Sequence, residues 1–207
     1  AVKTVVLAIT GASGAAYARR LVEVLAEAGV YLHLVVSPMG RRVLAEELGL
    51  RKLSIESLAG RRLERAALYW HRDLGARIAS GSFRTDGMVV CPCSSHTLGA
   101  IAGGLAGNLI TRAALVTLKE ARRLILVTRE MPLSQIEIAN MLRVSQAGGI
   151  ICPASPGFYL HPQNVGDLVD FVVGRVLDLL GLPHALRTRW QPMPTAAARP
   201  HSDEPAD

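Results

Sequence analysis

The sequence predicts an α/β protein in which a parallel sheet lies between two layers of helices. Five apolar segments are rich in Val, Ile and Leu and do not alternate strictly with polar residues, as is typical of strands covered on both faces. Segments of helical length separate them, which favours a parallel, three-layer arrangement. Half of the 207 residues are hydrophobic and 19% are charged, so the chain can bury a substantial core.

The strands are expected at Lys3–Ile9, Tyr31–Val36, Gly87–Cys91, Arg123–Thr128 and Gly148–Cys152. Helices are expected at about Gly14–Glu27, Met39–Leu48, Ser94–Gly103, Ile110–Glu120, Ser134–Gln146 and Asn164–Leu180. Ser134 and Glu137 have the S-x-x-E spacing of a capping box, which predicts a helix start just after Pro132. Residues 51–77 are basic and irregular, and their pattern predicts no element.

The last helix has an apolar stripe, with Asp167, Asp170 and Asp178 on the opposite face. Arg175 lies just off the apolar edge, so its side chain is expected to reach inward. We expect residues 1–182 to form one domain. Residues 183–207 are rich in Pro, Ala and Arg without periodicity, which predicts a tail that is flexible or packed on a neighbouring subunit.

The composition argues against several classes of function. The three cysteines have no metal-ligand spacing, so we expect no metal site and a reducing compartment. No signal-peptide pattern is visible and no apolar run reaches the roughly 18 residues of a membrane helix, which predicts a cytoplasmic protein without a membrane partner. The net charge is +6, but only 4% of residues are aromatic, so we expect no nucleic-acid partner. The positive charge better suits a phosphorylated substrate.

Unusual residues follow several strands, at the edge where parallel α/β sheets bind ligands. The first strand leads into Gly11–Gly14, which is either an anion-binding turn or a plain tight turn. Pro92 is expected to stop the third strand, and the hydroxyls of Ser94–Thr97 either bind a phosphate or only cap a helix. The second strand ends at Ser37, not at an acidic residue, which favours a mononucleotide over a dinucleotide.

Two further strand ends carry reactive side chains. Arg129 and Glu130 follow the fourth strand, where Arg suits a phosphate or a carbonyl and Glu suits proton transfer. A salt bridge between such residues is the alternative. The loop after the fifth strand carries Phe158 and Tyr159, which either serve a ligand or plug the sheet.

Cations on other elements predict a phosphate clamp. Arg112 and Lys119 are seven residues apart and therefore share one helix face. Taken singly, each is more often a solvated charge. Together with Arg129 and Arg175 they form a candidate clamp for a phosphate group.

In combination, these motifs resemble those of the UbiX-type flavin prenyltransferases. They are G-A-S-G, P-C-S-x-x-T, N-L-I-x-R-A-A, L-K-E, R-E-x-P-L-S, N-M-L and P-x-x-P-G-F-Y, in that order between about Val5 and Leu182. The resemblance implies a Rossmann-like, flavodoxin-related three-layer α/β/α sandwich that assembles into trimers, which in turn form a homo-dodecamer. It implies that dimethylallyl phosphate prenylates reduced FMN at N5 and C6 without a metal. The product, prenylated FMN, would serve UbiD-type decarboxylases.

The resemblance also implies site roles, carried over motif by motif. The FMN contacts would be Gly11, Ala12, Ser13, Ser37, Ser94, Ser95, His96, Thr97 and Arg129. Tyr159, Arg175, Lys119 and Arg129 would hold dimethylallyl phosphate, supported by Arg112 from the same or a neighbouring subunit. The catalytic set would be Glu130 as acid/base, Lys119 at the leaving phosphate, Ser13 near the reactive flavin face and Glu47 as an assisting carboxylate.

Two other functions stay open on the residues alone. One is a flavin-dependent cysteine decarboxylase of the phosphopantothenoylcysteine type, whose members carry P-A-S-A-N-T where this chain has Pro92–Thr97. The other is an FMN-binding carrier without chemistry, which gives no reason for the charged set around Arg129 and Glu130. Replacing Glu130 by Gln separates an enzyme from a carrier, because a carrier would lose no function.

Overall fold

A six-stranded sheet forms the centre of the computed structural model, which describes residues 2–186 and 188. Its strands are β1 (Thr4–Ile9), β2 (Tyr31–Val36), β3 (Ala66–Tyr69), β4 (Gly87–Cys93), β5 (Leu124–Thr128) and β6 (Ile150–Ile151). All neighbours are parallel, and the spatial order β3-β2-β1-β4-β5-β6 is that of a doubly wound, Rossmann-like sheet. The carboxyl ends of all strands therefore meet at one side of the sheet, here called the carboxyl edge; the opposite side is the amino edge.

Helices of the described residues cover both faces of the sheet. They are α1 (Ala15–Glu27), α2 (Pro38–Leu48), α3 (Ile55–Ala59), α4 (Ser95–Ala102), α5 (Leu109–Lys119), α6 (Gln135–Gln146) and α7 (Val165–Leu180). Strand side chains alternate between two buried clusters: Leu7 and Ile125 pack against α1, α2, α3 and α7, whereas Ala8 and Leu126 pack against α4, α5 and α6. The predicted three-layer α/β fold is confirmed.

The five predicted strands are all present, with two corrections. Pro92 does not stop β4, because Cys93 still pairs with Thr128 after a register shift between Val90 and Cys93. At such an irregularity the missing N–H of a proline costs no regular ladder bond. The last strand shrinks from the predicted Gly148–Cys152 to two residues, Ile150–Ile151.

A sixth strand, β3, lies in the segment for which the sequence predicted no element. Its four residues pair with β2 alone and are only half-buried. The segment Ala66–Tyr69 contains no Val or Ile, so it lacks the composition that marks the central strands. A short edge strand held by one neighbour leaves little trace in a sequence.

The six predicted helices are confirmed to within one residue at each end. Local capping explains this accuracy: Ser134 Oγ accepts from Glu137 N, and the Glu137 carboxylate accepts from Ser134 N. Asn108 caps α5 in the same reciprocal way with Thr111. Such caps satisfy N–H groups that a helix start otherwise leaves without partners.

The prediction that Arg175 reaches inward is wrong. Its side chain is 51% exposed, and Nη1 donates to Asp178 Oδ2 at 3.0 Å. Asp178 is correspondingly not a solvated residue of the polar face but is mostly buried beside His184. Of the predicted tail, His184 and Thr188 lie against Gly174 of α7, and residues 187 and 189–207 lie outside the described residues.

Candidate active site at the carboxyl edge

The strand order reverses between β1 and β4, and the loops that follow these strands border the crevice where α/β sheets bind ligands. Thr10, directly after β1, ties the two loops together. Its Oγ1 donates to Pro92 O at 2.7 Å and accepts from Ser94 N at 2.8 Å. The sequence did not predict this role, and its one signal was a hydroxyl side chain directly after β1. The floor of the crevice is therefore fixed before any ligand arrives.

Close backbone contacts bring the start of α2 against the loop after β1. A Cβ on Gly11 would lie 2.5 Å from Met39 Cβ, and one on Gly40 would lie 2.5 Å from Ile9 O. Ser37 caps α2, with its Oγ accepting from Gly40 N at 3.0 Å. The predicted contacts Gly11 and Ser37 thus lie side by side at the carboxyl edge.

The start of α1 attracts an anion, as the glycine turn suggested, but that anion is Glu47. Its carboxylate accepts from Ala15 N at 2.7 Å and from Gly14 N at 3.0 Å. Partial burial raises the pKa of Glu47, but hydrogen bonds from Ser13 and these two N–H groups, with the charge of Arg129, outweigh it and lower the pKa overall. The N–H groups at the start of α1 that could otherwise bind a ligand phosphate are therefore occupied by Glu47.

The turn after β4 begins α4. Ser94 caps this helix, since its Oγ accepts from Thr97 N, and the same Oγ donates to Thr97 Oγ1 at 3.1 Å. Capping is therefore confirmed for Ser94, whereas Ser95 Oγ donates to Glu130 and His96 is exposed, and phosphate binding by this turn stays a prediction. Ala12 and Thr97 are buried, so each offers a ligand little surface.

Arg129 is the clearest sign of a ligand. Its Nε is buried and has no hydrogen-bond partner within the described part of the chain. A buried, unpaired guanidinium nitrogen costs free energy, commonly about 1–3 kcal/mol, unless a ligand accepts from it. Its positive charge also acts to lower the pKa of Glu47 and that of Tyr17, because it favours the ionised form of each. An anionic or carbonyl-bearing ligand fits this position.

Glu130 lies beside Arg129 but does not form a salt bridge with it. Its Oε2 accepts from Ser95 Oγ at 3.3 Å, and its Oε1 accepts from Met131 N at 3.3 Å. The side chain is exposed at the carboxyl edge. A carboxylate held by two weak donors and open to a ligand is suited to exchanging a proton with that ligand.

Tyr159 is half-exposed, and its ring meets Phe171 of α7 edge-on, with 5.8 Å between centroids. Phe158 is more exposed still, so neither residue plugs the sheet. Phe171 and Arg175 are four residues apart and share a face of α7. Tyr159 and Arg175 are thereby on neighbouring parts of the same surface.

The four cations of the predicted clamp do not meet within one chain. Arg112 Nε donates to Ala79 O at 3.1 Å, and Lys119 Nζ lies 3.2 Å from Glu120 Oε1. Lys119 ends α5, which leads into the first residue of β5, so it lies at the amino edge. Arg129 follows β5 and lies at the opposite edge.

Tyr17 also borders this site, although the sequence pattern did not predict it. It lies in the first turn of α1, where its ring would lie 2.9 Å from a Cβ on Gly14. Burial raises the pKa of its hydroxyl and the nearby Cys91 adds to this, whereas Arg129 opposes it. The only sequence signal was its position three residues after the glycine turn.

The cysteines offer no reactive thiol. Burial raises the pKa of both Cys91 and Cys93, and it also raises that of the half-buried Cys152. All three are free thiols. Among the described residues, no group of three or more His, Cys, Asp or Glu side chains is placed to hold a metal, and no helix is long and apolar enough to span a membrane.

The fold and this edge define a nucleotide-binding α/β protein, and the model of the Flavoprotein family matches residues 1–177. A relative from Halalkalibacterium halodurans, named Flavin prenyltransferase UbiX, is 48% identical over 186 residues, which are 88% of this chain and 90% of that protein. The chain belongs to the Flavoprotein family and, within it, to the UbiX flavin prenyltransferases.

Solved structures agree with this assignment. AnUbiX (PadA1), crystallised with FMN and dimethylallyl pyrophosphate, has a TM-score of 0.85 and 40% identity, covering 92% of this chain and 98% of that one. A dodecameric FMN-dependent Ubix-like decarboxylase from Escherichia coli O157:H7 has a TM-score of 0.82 and 43% identity, covering 91% and 98%. The cysteine decarboxylase TvaF, at 15% identity and a TM-score of 0.60, shares the fold alone.

Proposed function

We propose that this chain is a flavin prenyltransferase that joins the dimethylallyl group of dimethylallyl phosphate to reduced FMN. Reduced FMN supplies the two acceptor atoms, N5 and C6, and prenylated FMN is the product. The observation that carries the proposal is the pair after β5: a buried Arg129 Nε that has no partner among the described residues, next to an open Glu130 carboxylate. Membership of the UbiX family supports the same reaction.

FMN fits the donors of the carboxyl edge. The backbone around Gly11 and the hydroxyls of Ser37 and Ser95 lie on three neighbouring loops, and Arg129 offers an Nε that no described residue accepts from. We propose that these residues hold FMN, with Ala12, Ser94, His96 and Thr97 completing the set and Ser13 near the reactive face. Because Glu47 neutralises the start of α1, the flavin phosphate is expected at the donors of α2 or α4 instead.

The chain's cations stabilise the leaving phosphate. As flavin N5 forms a bond to the allylic carbon and gives up its proton to the departing phosphate, the bond between that carbon and the phosphate oxygen breaks. The electron pair stays on the phosphate, whose charge Arg129, Lys119 and Arg175 neutralise without a metal. Tyr159 donates its hydroxyl to the phosphate while its ring covers the prenyl group.

Glu130 is the proposed acid/base. Closing the ring at C6 requires one proton to be delivered to the prenyl double bond and one to be removed from C6, and Glu130 is the open carboxylate at this edge. Ser95, which donates to it at 3.3 Å, keeps it in position. Glu47 is held at the start of α1 and assists as a fixed negative charge.

The complete site is proposed to form between subunits of a homo-oligomer. Lys119 lies at the amino edge of its own sheet, so a neighbouring copy, with Arg112 in support, is expected to bring it to Arg129. The outer side of α6 and the preceding turn exposes apolar side chains suited to such contacts: Met131, Ile136, Ile138 and Leu142. The E. coli neighbour is dodecameric, which supports a dodecamer here.

The proposed destination of the product rests on membership of the UbiX family. We propose that prenylated FMN is passed to a UbiD-type decarboxylase that uses it as a cofactor. The single domain and the cytoplasmic location expected from the sequence remain predictions.

The test compares Glu130→Gln with the control Glu27→Gln under anaerobic conditions with reduced FMN and dimethylallyl phosphate. We expect Glu130→Gln to bind FMN but to form prenylated FMN at least about 100-fold more slowly, the usual contribution of a positioned acid/base. Glu27→Gln, at the exposed last residue of α1, is expected to retain most activity. Equal rates for wild type and Glu130→Gln would refute the role, and tightly bound flavin without any prenylation would favour a carrier.

A further inference from the structure

A hydrogen-bonded chain at the end of α7 leads from a buried histidine to Arg175. Arg175 Nη1 donates to Asp178 Oδ2 at 3.0 Å, and His184 Nε2 lies 3.1 Å from Asp178 Oδ1. The backbone N–H of Leu186 donates to His184 Nδ1 at 3.2 Å. A backbone N–H only donates, so Nδ1 is the acceptor and Nε2 carries the hydrogen that His184 donates to Asp178.

Packing fixes His184 at the buried end of this chain. The His184 side chain is 1% exposed, whereas Arg175 is 51% exposed. Gly174, directly before Arg175, makes room for the segment, because a Cβ there would collide with Thr188 Cγ2 and lie 3.1 Å from His184 Cε1. The rigid part of the chain is therefore the histidine, and the movable part is the guanidinium.

Arg175 lies on the surface that the proposed function assigns to the phosphate. One turn earlier on the same face, Phe171 contacts Tyr159. The charge of Arg175 also opposes the rise that burial causes in the pKa of Cys152, the residue after β6. The guanidinium thus lies towards the end of β6.

We propose that His184 is a positioning residue for the phosphate of dimethylallyl phosphate, acting through Asp178 on Arg175. This inference rests on the proposed function. Asp178 uses one of the five N–H donors of Arg175 and leaves the others for a phosphate. An exposed arginine loses rotamer freedom when it binds an anion, and holding it in place beforehand reduces that loss.

The test is a double-mutant cycle on the Kd of dimethylallyl phosphate, measured by calorimetry on the FMN-loaded protein. We expect His184→Leu to raise the Kd about fivefold and to leave FMN affinity unchanged. In an Arg175→Ala background the same change is expected to alter the Kd by less than about twofold, because its effect passes through Arg175. His184→Gln keeps an N–H for Asp178 and should recover most of the affinity.

Thr188→Val is the matched control in the same segment. Its Oγ1 is buried without a hydrogen-bond partner among the described residues, so removing it should leave the Kd unchanged. An unchanged Kd in His184→Leu overturns the inference. So does an equal rise of the Kd with and without Arg175, which indicates a purely structural effect.

The same samples separate this inference from the proposed function. If wild type binds dimethylallyl phosphate with the expected coupling but returns unmodified flavin, the prenyltransferase assignment fails and the positioning role stands. If wild type forms prenylated FMN but the cycle shows no coupling, the positioning role fails and the assignment stands.

Discussion

At the scale of single residues, the carboxyl edge holds one charged group that the chain itself satisfies and one that it does not. Glu47 is satisfied by the chain itself, through Gly14 N and Ala15 N. Arg129 keeps a buried Nε without a partner in the described chain. The edge thus keeps an N–H donor on a cation that the described chain does not satisfy, which suits an anionic or carbonyl-bearing ligand such as FMN.

Glu47→Gln tests whether the Glu47 carboxylate stabilises the start of α1. The variant removes the charge that stabilises the start of α1, and we expect the free energy of unfolding to fall by about 1 kcal/mol at pH 7, a value that allows for screening by water. Urea denaturation measures this. Glu46→Gln, on the same helix but paired with Arg42 in solvent, is the control and should cost less.

The pH dependence of that difference has a definite sign. The pKa of Glu47 is lower in the folded protein than its ordinary value of 4.5. Its stabilisation is therefore complete above about pH 5 and is lost as the pH falls through the folded pKa. A difference between wild type and Glu47→Gln that grows as the pH falls would contradict the assignment.

His33 gives a second prediction, away from the site. Burial, and then the charge of Arg77, lower its pKa from 6.5 to about 4. Between these values the unfolded chain binds a proton that the folded protein does not, so stability falls by on the order of 2 kcal/mol as the pH drops from 6.5 to 4. An NMR titration of the His33 ring should show no inflection near pH 6.5; one there would refute the burial argument.

At the scale of elements, the site depends on how closely α2 approaches β1. Gly40→Ala places a Cβ 2.5 Å from Ile9 O, a backbone atom that cannot move aside cheaply. We expect a loss of about 1–3 kcal/mol of stability and weaker FMN binding, measured by urea denaturation and flavin fluorescence. Gly107→Ala, where a Cβ meets nothing within 4 Å, should change stability by less than about 0.5 kcal/mol. Equal effects of the two substitutions would contradict this account.

Elements with local signals were predictable from the sequence, and those held by distant contacts were not. The Ser134 cap fixed the start of α6, whereas β3 exists only because β2 offers it an edge. The same holds for the site. Arg129 and Glu130 could be found because both follow a buried strand directly. The true partner of Arg175 could not be predicted, because Asp178 is fixed by a histidine that follows the helix.

At the scale of the whole molecule, the two edges of the sheet carry complementary parts of the proposed site. Arg129 lies at the carboxyl edge and Lys119 at the amino edge, so one chain alone cannot bring both to the same phosphate. The proposed homo-oligomer would resolve this, because a head-to-tail interface joins different surfaces of two copies and would bring the amino edge of one to the carboxyl edge of another.

Subunit complementation checks this arrangement. Assemblies of Lys119→Ala alone, or of Arg129→Ala alone, should be nearly inactive. Random mixed assemblies should regain about a quarter of wild-type activity, since half of the sites receive an intact Lys119 and half of those an intact Arg129. No recovery in verified mixed assemblies would place both residues in the same chain's site.

The central claim is tested most directly by the mass of the flavin after reaction. Purified wild-type protein is incubated anaerobically with reduced FMN and dimethylallyl phosphate, and the extracted flavin is examined by mass spectrometry. A flavin heavier by one C5H8 unit, absent with Glu130→Gln, is the predicted result. Unmodified flavin recovered from a protein that binds both molecules would contradict the account.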